Sequence, residues 1–186
     1  MSRINLFFDT HVQYAYLKSG IKVLADERDK KKFLDFVLRL QQEQKFYIYA
    51  FCILDNEIHF LLGVQEDEGA KAEVILRDME NWYISYAAEQ QFPRRQRYRV
   101  NKHICELKDM EEMMAVCARI HSLPIAQKYA KDLRNYWWSS YQSYRGVYEW
   151  PGVDWQSLLL YLDDNVQKAR QQFFRLQRKE DRKYDS

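Results

Sequence analysis

Residues 46–62 read Phe-Tyr-Ile-Tyr-Ala-Phe-Cys-Ile-Leu-Asp-Asn-Glu-Ile-His-Phe-Leu-Leu: an apolar run, a polar turn and a second apolar run broken by one imidazole. Two such runs joined by Asp55-Asn56 predict a β-hairpin, because both turn residues tolerate turn geometry without glycine. In the second strand Ile58, Phe60 and Leu62 fall on one side, so Glu57, His59 and Leu61 fall on the other. A carboxylate and an imidazole therefore share a face. That pattern fits a metal site, the remnant of one, or packing, and a single strand histidine is more often a satisfied structural residue than a ligand.

The elements around the hairpin follow from periodicity. Ile4 to Leu17 reads as a first strand that Ser19-Gly20 ends, and Asp29 to Gln44 as an amphipathic helix with Phe33, Leu34, Phe36, Val37 and Leu40 on one side. Gly69 to Gln91 places Ile75, Met79, Trp82, Tyr83 and Tyr86 on one helical face, and Pro93 stops it. A fourth strand is expected within 96–107. A third helix over 110–121 is broken by Leu123-Pro124, a further helical stretch runs to about Lys131, 136–146 is an aromatic loop, and one long helix covers Val153 to about Arg178 before a charged tail. The order β-α-β-β-α-β predicts an α+β fold, a ferredoxin-like split βαβ antiparallel sheet with helices on one face plus a C-terminal helical extension. Residues 1–146 would form the main unit, and 147–186 the extension of the same domain.

Composition narrows the function classes. Fourteen Tyr, ten Phe and five Trp against five Gly and three Pro exclude a disordered chain. A net charge of +2 means that any nucleic-acid surface must be local. Three cysteines without a Cys-x-x-Cys pair suggest neither a disulfide framework nor a cysteine zinc site, which points to reducing cytoplasm. The longest apolar run, Phe46 to Leu54, is too short to span a bilayer, and the first residues lack a signal-peptide core, so no membrane partner is expected. Gly-rich phosphate loops, Gly-x-Ser-x-Gly elbows and His-Glu-x-x-His helices are absent from the sequence. The densest cation cluster is Arg94, Arg95, Arg97, Arg99 and Lys102, interleaved with Phe92 and Tyr98. It suits either a solvated strand edge or the backbone phosphates and stacked bases of single-stranded DNA.

The segment Leu54-Asp-Asn-Glu-Ile-His-Phe-Leu-Leu resembles the Met-Pro-Asn-His-hydrophobic-His-hydrophobic-Leu signature of the single-tyrosine transposases of insertion sequences and their REP-associated relatives. Matches follow in the same order: Tyr86-Ala87 on the helix after the hairpin, Ile120-His121-Ser122-Leu123-Pro124 against Tyr-Ile-His-Leu-Asn-Pro, and Trp138-Ser139-Ser140-Tyr141 against Trp-Ser-Ser-Tyr. Thr10-His11-Val12 also fits, so the resemblance runs from about residue 4 to about 175. It implies metal-assisted transesterification of single-stranded or hairpin DNA through a 5′-phosphotyrosine intermediate. Carried over, Tyr86 is the nucleophile, and Glu57, His59 and Gln90 (or the adjacent Gln91) hold a divalent Mg or Mn ion. A homodimer is also implied. The chain departs from the signature where Glu57 takes the first histidine's place, Asp55 the proline's, and Ser122-Leu123-Pro124 lacks the asparagine. A carboxylate is a legitimate ligand for such cations. The alternatives are a non-catalytic DNA-binding regulator on the same fold and a protein-interaction module.

Overall fold

The computed structural model describes residues 10–65, 72–97 and 99–184. Strand β1 (Thr10–Ser19) leads to helix α1 (Glu27–Gln44), the hairpin β2 (Tyr47–Ile53) and β3 (Glu57–Gln65), helix α2 (Ala72–Glu89), a one-turn helix α3 (Arg94–Arg97) and strand β4 (Val100–Glu106). The strands form one sheet in the order β2-β3-β1-β4, antiparallel throughout. This is the split βαβ arrangement expected of the sequence. Residues 4–9, where the first strand was expected to start, and Gly69 and Tyr98 lie outside the described residues.

The two sheet faces carry separate cores. Ala15, Leu17, Phe51, Ile58, Phe60 and Leu62 pack under α1 and α2, whose inward residues include Phe33, Val37, Ile75, Met79 and Tyr83. The connections β1-α1-β2 and β3-α2-β4 put both helices on this side. Val12, Ala50, Cys52 and Leu61 face the other way, under α4 (Met110–Ala126), α6 (Trp155–Leu160) and α7 (Val166–Asp181). The C-terminal helices thus form the second covering layer of the sheet. Among the described residues no helix is long and apolar enough to cross a membrane.

Three local expectations are corrected. Helix α4 runs through Pro124, whose ring falls in the last turn and takes one N–H from the ladder shortly before the helix ends at Ala126. The long helix expected from Val153 is two. Asp154 accepts from Ser157 N (3.1 Å), while Asn165 accepts from Gln167 N (3.0 Å) and Lys168 N (3.1 Å), so two side-chain caps start separate helices. The aromatic loop contains the short helix α5 (Tyr141–Arg145), ended by Gly146 in the left-handed conformation at φ 72°. Just before it, Ile53 N donates to Trp138 O (2.9 Å) and Ser140 N to Phe51 O (3.0 Å), so the Trp-Ser-Ser-Tyr segment covers the outer edge of β2.

Candidate functional site

On the α4 side of the sheet, register sets His59 between Cys52 of β2 and Tyr16 of β1, and Tyr16 next to His103 of β4. The neighbouring row places Glu57 opposite Lys18. Tyr14 Oη lies 2.8 Å from His59 Nδ1, His59 Nε2 lies 3.2 Å from Glu57 Oε2, and the Lys18 ammonium closes on Glu57. One proton arrangement satisfies all of them: the phenol donates to Nδ1, and the protonated Nε2 of a neutral imidazole donates to the carboxylate. His59 is only 5% exposed, and burial lowers its pKa despite the neighbouring carboxylate. The bond from His59, helped by Lys18, lowers Glu57 to about 2 against its own desolvation. Burial raises Tyr14 to about 12, so the phenol stays protonated.

Tyr86 and Gln90 are elsewhere. Tyr86 belongs to the core between α1 and α2, on the opposite sheet face from Glu57 and His59. Its hydroxyl donates to Asp29 Oδ1 (2.6 Å) and accepts from Lys32 Nζ (3.2 Å). Its ring stacks on Trp82 at 4.7 Å. Burial raises its pKa, and Asp29 adds to the effect. Gln90 is exposed just past the end of α2, its N–H bonded to Tyr86 O (3.0 Å), and Gln91 follows with φ 62°. The expected grouping of Tyr86 and Gln90 with Glu57 and His59 is therefore not what the fold assembles. Helical periodicity correctly gave Tyr86 an inward position, but the polar row of β3 points away from the face that α2 covers.

The donor set does not fit the implied divalent ion. Both ring nitrogens of His59 are engaged within the protein, the Glu57 carboxylate is shared by His59 and Lys18, and the third ligand is across the sheet. Among the described residues no three His, Cys, Asp or Glu side chains group as a cation site.

The helix that does cover this face is α4. Directly before Ile120-His121, where the quoted motif has tyrosine, it carries Arg119, whose guanidinium lies 5.1 Å from the Tyr14 ring centroid. Where the motif has asparagine it carries Leu123. Neither Tyr14 nor Arg119 stood out in the sequence. The phenols of Tyr14 and Tyr16 read as ordinary strand residues until register put them beside the two histidines.

His121 has a structural role. It is fully buried, its Nε2 lies 2.8 Å from Ser140 Oγ, and the same hydroxyl accepts from Phe51 N (2.9 Å), so α4 is tied to the segment along β2. Burial lowers its pKa to about 3. The unfolded imidazole, with an ordinary value near 6.5, takes up a proton that the folded one refuses. Its contribution to stability is complete above about pH 6.5 and is lost as pH falls toward 3. Thermal melts should show Tm falling through this window. His121→Gln should melt lower at pH 7 but with a flatter acid dependence, and an unchanged slope would remove His121 as its source.

The cation cluster is split. Arg94 and Arg95 are exposed on α3 and Arg99 is exposed ahead of β4, but Lys102 turns toward α2 and pairs with Glu80 at 2.7 Å. The side chain of Arg97 lies outside the described residues.

No family model matches the chain, and no curated protein matches it. Among solved structures, the fold is similar to that of a REP-associated tyrosine transposase bound to a REP hairpin. The TM-score is 0.56 at 13% sequence identity, over 77% of this chain and 86% of the other.

Proposed function

We propose that this chain is a DNA-binding protein on a transposase-like fold that holds hairpin-bearing DNA without cutting it. The observation that carries this reading is the closed chain Tyr14–His59–Glu57–Lys18. It leaves no free imidazole nitrogen for a metal, while Tyr86 lies on the other sheet face. Metal-dependent cleavage by Tyr86, the activity implied by the motif resemblance, needs a nucleophile and a Lewis acid on the same phosphate. This arrangement supplies neither. Binding does not require them. The fold likeness to a hairpin-bound transposase supports DNA as the partner, and the exposed side chains of Arg94, Arg95 and Arg99 offer a contact to backbone phosphate.

Fluorescence anisotropy with a labelled hairpin oligonucleotide tests the reading. Affinity should fall steeply with salt, and alanine at Arg95 and Arg97 should reduce the log–log slope by about one for each phosphate left without its cation. An affinity indifferent to salt would sink the proposal.

A further inference from the structure

Helix α7 and the 3-10 turn that continues it (Arg182–Tyr184) carry a one-sided charge. Residues 166–184 hold seven Lys and Arg against two Asp and Glu, a net of +5, whereas the whole chain nets +2 and the remainder is therefore −3. The inward face accounts for none of it. Ala169, Phe173 and Gln177 are buried, and both carboxylates are held: Glu180 pairs with Lys183, and Asp181 Oδ1 accepts from Ser122 Oγ (2.6 Å) and Gln177 Nε2 (2.9 Å).

Outward, Lys168, Arg175, Lys179 and Arg182 follow one another at steps of seven, four and three residues, which sets them in a single row along the helix. All four are exposed, and among the described residues none makes a hydrogen bond, ion pair or ring contact through its side chain. No carboxylate of the helix falls in the row. Asp163 and Asp164 lie ahead of the Asn165 cap, and neither pairs with Lys168. The helix dipole does not explain the row either. It favours cations in the last turn, but Lys168 lies in the first turn, where a cation is unfavourable, and Arg175 lies between the two ends.

The row is roughly 20 Å long, the rise of about six base pairs along one strand. It offers cations and no ring to stack on, since Phe173 is buried and Phe174 is packed against the core. That matches a run of phosphates whose bases are already paired. An anionic membrane fits less well, because a helix lying in a membrane inserts its apolar face, and here that face is committed to the core under the sheet.

We propose that Lys168, Arg175, Lys179 and Arg182 lie along one strand of the duplex stem of a DNA hairpin and bind it through its phosphates. This rests on the DNA-binding reading above and adds to it a second surface, on a different element from α3. The contact is electrostatic and independent of stem sequence, and no bond is made or broken.

The test measures salt-dependent binding of two hairpins that share a loop, with stems of about four and about ten base pairs, and of an unpaired oligonucleotide. The long stem should bind at least tenfold tighter than the short one, because only it spans the row. Replacing all four cations by Gln, a good helix former at exposed positions, should remove that advantage and lower the log–log salt slope on the long stem by about three to four, or about 0.9 for each phosphate left without its cation. A variant that exchanges Lys and Arg at the same four positions keeps the charge and should bind the long stem like the parent. An α7 effect that persists where Arg95→Ala has none would keep the row and remove α3 as a DNA contact. A parent that binds both hairpins while the Gln variant matches it in slope and affinity overturns the row and leaves hairpin binding intact. An equal loss on the unpaired oligonucleotide overturns the assignment to duplex. Binding of phosphatidylserine vesicles through the four cations, with no hairpin bound, rejects both this contact and the DNA reading.

Discussion

Asp55→Ala should destabilise the protein by about 3–5 kcal/mol, the scale of leaving a buried charge without its counter-ion. Lys30, on the first turns of α1, is buried, and its ammonium donates to Asp55 Oδ1 (2.9 Å), Leu24 O (2.6 Å) and Ala25 O (3.3 Å). Asp55 sits in the β2–β3 turn, so this one carboxylate ties the hairpin to α1. Removing it leaves an ammonium with carbonyl dipoles as its only buried partners. The expected Tm drop in a circular-dichroism melt is on the order of 10 °C for a chain of this size. Adding Lys30→Met should recover much of the loss, because a well-packed apolar side chain replaces the ion pair at little cost. The same pair accounts for a departure from the transposase-like signature. A proline at 55 would supply no carboxylate, so Asp55→Pro should be at least as damaging as alanine. An Asp55→Ala variant that melts like the parent would show that Lys30 is satisfied without it.

Phe173→Ala is the second large effect, again about 3–5 kcal/mol for a fully buried aromatic ring. Phe173 of α7 stacks on Tyr144 at 4.6 Å and meets the edge of His121 at 5.8 Å, and all three are completely buried. Tyr144 Oη in turn donates to Tyr49 O of β2 (2.9 Å), so the ring stands at the joint between α7, α4, α5 and the sheet. Urea unfolding of Phe173→Ala should remain one cooperative transition at lower midpoint, since the ring belongs to the core under the sheet. Two separated transitions would show that the C-terminal helices unfold on their own.

These residues also mark what the sequence made legible. The alternation in residues 58–62 was enough to place Glu57 and His59 on one face, because strand periodicity is strict and Ile58, Phe60 and Leu62 needed a core. It did not reveal which side of the sheet α2 would take. A stripe through Ile75, Met79 and Tyr86 says that the helix is amphipathic, but the sheet face is set by crossover handedness and by which row of β3 is apolar. Together these place Tyr86 away from Glu57. Tyr14, Tyr16 and His103 could be grouped only through register, since they lie on different strands with no local signature. Arg119 was visible beside Ile120-His121, yet its position over Tyr14 depends on α4 crossing the second sheet face. The split of 153–178 into two helices was written in Asp154 and Asn165, whose capping bonds outweighed a continuous apolar stripe.

On the proposal above, the protein holds hairpin DNA and does not cut it. Incubating the protein with labelled hairpin oligonucleotides in Mg²⁺ or Mn²⁺, followed by a denaturing gel, tests it directly. Glu57→His, which restores the histidine pair, should be run beside the parent. Both should bind the probe, and neither should give a denaturant-resistant protein–DNA adduct, because the restored pair would still lie across the sheet from Tyr86. A covalent adduct in either protein that Tyr86→Phe or Tyr14→Phe abolishes would contradict the account.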